Sequence, residues 1–280
     1  MYSGHVVQDG DVCEVVDIPA SVEEFVEKYQ STHKPVVFRP KGGLAGIGWK
    51  TDLWTKEYLL EKIGNPMVWA ESTQSGNFGI EAQTAEMTLE ALLAHSFMNY
   101  SADMPHYYLN LQQPEKNRIM LPPLSHLTSD FSVPSFFMST PLTAVNLWIG
   151  SSDPKKGKTS GLHHDEGDNL YVIIKGKKKI KLYSPLDQYN VYPKGYLTRL
   201  EPSGRHHYCS GTQSHWSYIS PSSTQETIDS IYPRFNQAKL LECMVNEGEM
   251  LFLPHGWWHQ VTSYGHHFAI NIWIEPYTQK

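Results

Sequence analysis

The sequence predicts a mainly β protein (α+β class): an eight-stranded jelly roll supported by a helical amino-terminal part, as one domain over residues 1–280. Three observations lead there. From Thr143 onward, runs of five to seven residues rich in β-branched and aromatic side chains alternate with turn signals, the pattern of a sandwich or barrel. Before that point, apolar residues recur at helical spacing behind capping signals. No linker, internal repeat or low-complexity tract divides the chain, and its length suits one large core.

Each element has its own signal. Ser21-Val22-Glu23-Glu24 has the form of a capping box, so VEEFVEKY behind it is a helix. Pro35–Phe38 is a short strand, Thr55–Ile63 a second helix stopped by Gly64, Met67–Ala70 a strand and Met87–Ala94 a third helix. His106–Gln112 is extended, and the Pro- and Ser-rich Leu124–Phe137 gives a short helix and a turn. The core strands are expected at Ala144–Ile149, Ser160–Asp165, Leu170–Ile174, Lys179–Tyr183, Leu240–Val245, Glu249–Leu253, Trp258–Ser263 and Phe268–Ile274. Between Tyr189 and Phe235 lies a long polar insert, about 189–236, which in a compact domain is either functional or mobile.

Composition narrows the function classes. Twenty-three basic against twenty-nine acidic residues leave a net charge of −6, which disfavours a nucleic-acid partner. Cys13, Cys209 and Cys243 are scattered and odd in number, so they read as free thiols in a reducing compartment. The amino terminus lacks a signal-peptide pattern, and no apolar run approaches the ~20 residues of a membrane helix. A cytoplasmic or nuclear protein with no membrane association is the expectation.

The fourteen histidines invite a search for metal. In GLHHDEGDNL, His163 and Asp165 stand two apart and would share one face of a strand, with His164 turned away. A His-x-Asp pair supplies two ligands of the two-histidine, one-carboxylate set that holds Fe(II), and His259 in GEMLFLPHGWWHQV is the natural third. His164-x-Glu166 offers the same pair one residue out of step, on the opposite face. His206, His207, Cys209 and His215 form a second His/Cys cluster, with spacing that fits no common zinc site and reads better as a polar loop. Trp257 and Trp258 could stack on bases, but suit barrel core and rim better.

The pieces GLHHDEGDNLYVIIKGKKKIKLYSP and GEMLFLPHGWWHQV followed by FAINIWIE resemble the Jumonji-C (cupin-like) branch of the Fe(II)- and 2-oxoglutarate-dependent oxygenases, most closely its small protein-hydroxylase members. The resemblance is strong from AVNLWIG to INIWIEP, about half of the chain, and thin before it. It implies a double-stranded β-helix core. The family's ligand histidine lies six residues before an Asn, thirteen before a Gly and fifteen before a Lys, as His163 does to Asn169, Gly176 and Lys178. The resemblance therefore selects His163, Asp165 and His259 as metal ligands and leaves His164 and Glu166 on the solvent side or behind the site. His255, His266 and His267 match no ligand position. Lys178 matches the lysine that receives the distal carboxylate of 2-oxoglutarate. Ser160 matches a hydroxyl in the same role and Tyr108 a tyrosine there, with Tyr107 one step away. Asn169 and Asn271 match polar residues near the metal-proximal end.

The activity implied by the resemblance is that of a dioxygenase that needs Fe(II), O2 and 2-oxoglutarate, with no side-chain acid or base beyond the metal centre. Such an enzyme would hydroxylate a side chain of a protein or peptide and release succinate and carbon dioxide. An N-methyl-lysine demethylase is the nearest rival, disfavoured because those enzymes more often carry Glu as the carboxylate ligand and usually bring reader or zinc modules. A tRNA-base hydroxylase and a catalytically silent cupin-like binding module are the others. The insert is expected to form part of the substrate wall. A monomer is expected, because little chain follows the last strand to build an interface.

Overall fold

In the computed structural model, which describes residues 2–73, 77–78, 83–98, 106–109, 112, 119–211 and 215–277, β1 (Val15–Val16) pairs in parallel with β2 (Val36–Phe38). Between them α1 (Val22–Phe25) starts under the Ser21 hydroxyl, which accepts from the Glu24 amide, and a π-helical turn over Val26–Gln30 continues it. Then come α2 (Lys56–Ile63), capped by Thr55 and stopped at Gly64, and β3 (Met67–Thr73), β4 (Asn77–Phe78) and β5 (Gln83–Thr88). Helix α3 (Leu89–Phe97) begins later than its apolar pattern suggests, because Met87 pairs with Val68 across β3 and β5 and Thr88 serves as the cap. Strand β6 (His106–Leu109) covers the start of the expected extended stretch, of which residues 110 and 111 lie outside the described residues.

The carboxy-terminal half holds β7 (Leu142–Ser151), β8 (Lys158–Ser160), β9 (Asp168–Tyr183), β10 (Leu197–Leu200), β11 (His206–Tyr208), α4 (Gln225–Ile231), β12 (Leu240–Asn246), β13 (Met250–Leu253) and β14 (Trp258–Ile274). Two pairs of expected strands are each a single bent strand, β9 and β14. At Gly176 the chain takes φ +79°, and a Cβ there would stand 2.3 Å from the His266 carbonyl oxygen, so the bend needs glycine. The first half of β9 lies between β13 and the second half of β14, and its second half between β12 and the first half of β14. Strand β7 extends one sheet and β8 the other, which makes a double-stranded β-helix.

Two expectations need correction here. The strand at Ser160–Asp165 stops at Ser160, and His163 joins the sheet only through isolated bridges to His259 and Trp216. The 189–236 insert is not structureless: it carries the β10–β11 hairpin and α4.

Alternation along β9 fills two cores. Leu170, Val172 and Ile174 face the helical half, while Tyr171 and Ile173 join Ile180, Leu182 and Leu251 inside the barrel. Phe25 is fully buried among Phe38, Phe136, Phe137 and Phe252, all edge-on to it with centroids 4.9–6.3 Å away. Phe25→Ala should therefore cost about 3–5 kcal/mol in urea unfolding, the range for a large ring removed from a packed core. A second tie runs through Asp168, fully buried, which accepts from the His255 amide (2.9 Å) and the Gln30 side-chain amide (2.9 Å). It locks the first helix and the turn before β14 to the start of β9. Trp257 and Trp258 are both fully buried, core rather than platform.

The cysteine expectation also changes. Cys13 and Cys243 are joined by a disulfide across a separation of 230 residues, because the amino-terminal arm lies against β12; Cys209 is exposed and outside it. Among the described residues no helix is long and apolar enough to cross a membrane.

Candidate metal centre

Three short segments lie side by side at one end of the barrel. His163 donates its amide to the His259 carbonyl (3.0 Å) and accepts from the His259 amide (2.6 Å), while the Ser217 amide donates to the Leu162 carbonyl (2.9 Å). Because extended chain alternates its side chains, His163, Trp216 and His259 share one face and His164, His215 and Trp258 the other. The ring spacings agree: 4.1 Å from His163 to His259, 4.7 Å from His163 to Trp216, 5.0 Å from His164 to His215 and 4.7 Å from His164 to Trp258.

On the first face, one ligand atom each from His163, Asp165 and His259 lies within 4.8 Å of the others. His163 Nδ1 is 2.9 Å from the Gly161 carbonyl, and His259 Nδ1 is 2.9 Å from the Trp257 carbonyl. A carbonyl only accepts, so both rings carry their proton on Nδ1 and keep the Nε2 lone pair for a metal. Burial, helped by the neighbouring His259 ring, pushes His163 down to about 4, the neutral ligating form. Two neutral imidazoles and one carboxylate fit Fe(II) and leave coordination positions for other ligands.

The same three residues line a pocket of about 280 Å³. Ser160, Tyr108, Asn169 and Asn271 all line it, and the Oδ1 atoms of both asparagines are buried without a hydrogen-bond partner. Lys178 does not reach the wall itself. It is fully buried, and its ammonium donates to the hydroxyls of Tyr108 (2.9 Å) and Tyr171 (2.5 Å), which do line the pocket. Among the described residues no carboxylate pairs with it, and desolvation pushes it down to about 7. Burial raises Tyr108 and Tyr171, so both hydroxyls stay protonated donors. Ser160 is engaged with protein, donating to the Gly161 carbonyl and accepting from the Val261 amide. The buried ammonium and the two tyrosine hydroxyls it meets are donors that fit a small dianion such as 2-oxoglutarate.

Sequence reasoning passes over several pocket residues. Tyr171 stands two before Ile173 and two after Asn169 on one face of β9, a signal that alternation alone contains. Glu71, Trp148, Lys158, Trp216, Ser263 and Trp273 also line the pocket, and nothing local in the chain marks them. His164, expected on the solvent side or behind the site, is buried on the opposite face beside His206 and His215. Glu166 points to His215, at 3.9 Å. His255 is spent on Asp168, His266 on the Ser96 carbonyl, and His267 lies behind Tyr108. His207 binds Glu201 at 2.7 Å, away from His206 and His215.

Residues 21–280 match the cupin-like domain family. The chain is 30% identical over 223 residues to the JmjC domain-containing protein 4 of Schizosaccharomyces pombe, covering 72% of this chain and 45% of that protein. It is 27% identical over 256 residues to the lysine-specific demethylase JMJ30 of Arabidopsis thaliana, covering 90% and 52% respectively. Over 140 residues it is 30% identical to the human bifunctional peptidase and (3S)-lysyl hydroxylase JMJD7, covering 47% and 42%. The chain thus spans about half the length of these relatives. By its barrel, its facing histidines and these matches, the chain belongs to the cupin-like domain family, in its Jumonji-C branch.

Proposed function

We propose that the chain is an Fe(II)- and 2-oxoglutarate-dependent dioxygenase that hydroxylates a side chain of a protein or peptide. One observation carries this reading: three metal-type ligand atoms within 4.8 Å of one another at a pocket backed by a buried lysine with no carboxylate partner among the described residues. His163, Asp165 and His259 would hold the ion. When bound, Fe(II) and 2-oxoglutarate supply dioxygen activation and the oxidation of a substrate C–H bond, with succinate and carbon dioxide as co-products.

The protein's own work is positional. The Gly161 and Trp257 carbonyls orient the two imidazoles. Lys178, through and beside the hydroxyls of Tyr108 and Tyr171, offers charge-assisted contacts to the far carboxylate of the co-substrate. Asn169 and Asn271 place their side-chain amides on the pocket wall. Trp148, Trp216 and Trp273 make the walls apolar, which keeps water from the reacting centre. The insert contributes Trp216, which supports its role in the substrate wall. Trp216→Ala is expected to spare uncoupled 2-oxoglutarate turnover and to lower hydroxylated product by ~10-fold or more through misplacement of the substrate; an equal loss of both would count against that role.

Support for hydroxylation over demethylation is the aspartate at the carboxylate position, although relatives carry both names. The deciding experiment incubates protein, Fe(II), 2-oxoglutarate and cell extract, follows succinate, and searches peptides by mass spectrometry. A gain of one oxygen atom on a peptide is the expected result. Loss of a methyl would move the reading to demethylation. No iron-dependent succinate, with no thermal stabilisation by an oxalyl analogue, would leave a silent binding module.

A further inference from the structure

The face turned away from the metal centre carries a second histidine cluster. The ring of His164 lies 4.4 Å from that of His206 and 5.0 Å from that of His215. Trp258 closes one side, edge-on to both His164 and His206. His164 is 3% exposed and His206 9%. The Nε2 atom of His164 shares a 2.7 Å hydrogen bond with the Tyr208 hydroxyl, but its Nδ1 and both ring nitrogens of His206 are buried with no hydrogen-bond partner. A buried polar atom left unsatisfied destabilises the fold, and leucine or phenylalanine would fill the same space without that cost. The His164 ring meets both of the others, and imidazoles so arranged, yet not bonded to one another, are the donor set of a transition-metal site.

We propose that His164, His206 and His215 form a second metal site, for a divalent ion of the zinc class, with Glu166 beside His215 as an oxygen ligand. The Tyr208 hydroxyl plays the outer part: with the His164 proton on Nε2, donated to it, the Nδ1 lone pair is the ligand. No bond holds His206 to one orientation, so a half-turn of its ring exchanges nitrogen and carbon positions freely. The two sites differ in chemistry. A carboxylate with two imidazoles accepts Fe(II), whereas an imidazole-rich site favours Zn(II) over Fe(II) in the divalent affinity order. His206 comes from β11 and His215 from the following segment, so the ion would pin the insert to the strand segment carrying His163. It would thereby hold Trp216 against the pocket.

The proposal is independent of the Fe(II) reading, and its test counts ions. The full chain is dialysed to equilibrium against Zn(II), and separately Co(II), and bound metal is measured by mass spectrometry for wild type, Asp165→Ala, His206→Ala and His215→Ala. Two equivalents are expected in wild type, with one surviving in Asp165→Ala and raising its thermal midpoint. His206→Ala and His215→Ala should each lose that surviving equivalent and keep the other; His215 is partly exposed, so its variant tests the site even if His206→Ala does not fold. A second equivalent that persists in both histidine variants, or a wild type that binds only the ion dependent on Asp165, overturns the proposal.

Discussion

Replacing Asp165 with alanine is expected to abolish iron-dependent succinate formation, by ~10³-fold or more, because a metal's charge stabilisation is worth several kcal/mol and each 1.36 kcal/mol is tenfold. The fold should survive. The Asp165 side chain is 29% exposed, and its backbone carbonyl, untouched by the substitution, accepts from the Gly256 amide. Its carboxylate stands 3.8 Å from His259 Nε2, a distance an ion can bridge, so its removal relieves rather than breaks packing. Glu166→Ala is the paired control, since its carboxylate lies on the other face near His215. If the ligand pair were His164 and Glu166, the two variants would exchange behaviour. Iron content measured alongside activity decides it: Asp165→Ala retaining stoichiometric iron and turnover would falsify the assignment.

The sequence makes the fold more legible than the site, for a physical reason. Strand positions are written in local alternation, and Leu170, Val172 and Ile174 against Tyr171 and Ile173 show both faces covered. The two merged strands escape notice because Gly176 reads equally as a turn or as a bend inside a ladder, and only the close approach of the His266 carbonyl decides. Register at His163 is ambiguous in the same way. A period of two admits His163 with Asp165 and His164 with Glu166 equally, and the choice depends on hydrogen bonds to His259. Trp216 and the Cys13–Cys243 pair are illegible for a simpler reason. Each contact closes a long loop, and nothing in the intervening residues records the distance. His164 shows the converse: the alternation that turns it from the first centre says nothing of His206 and His215 waiting there.

Lys178→Met should raise the half-saturating 2-oxoglutarate concentration by about 10- to 100-fold, since a hydrogen bond to a charged group contributes about 1.5–3 kcal/mol. The same variant should be more stable than wild type without co-substrate, because a fully buried ammonium held by two hydroxyls is replaced by an apolar chain of similar length. Opposite signs on binding and stability separate a binding lysine from a packing one. The pH dependence has a definite direction. Lys178 sits at about 7 in the fold against its ordinary 10.5, so between those values the unfolded chain carries a proton that the fold lacks. Wild-type stability should therefore gain with rising pH across that window relative to Lys178→Met, and show no such difference in slope below it. Co-substrate binding should run the other way. A bound carboxylate favours the ammonium, so binding above pH 7 takes up a proton and weakens by up to ~10-fold per pH unit. Calorimetry in buffers of different ionisation enthalpy measures that proton directly. Lys178→Met should show none, and a wild type that takes up no proton above pH 7 would mean that the ammonium does not meet the diacid.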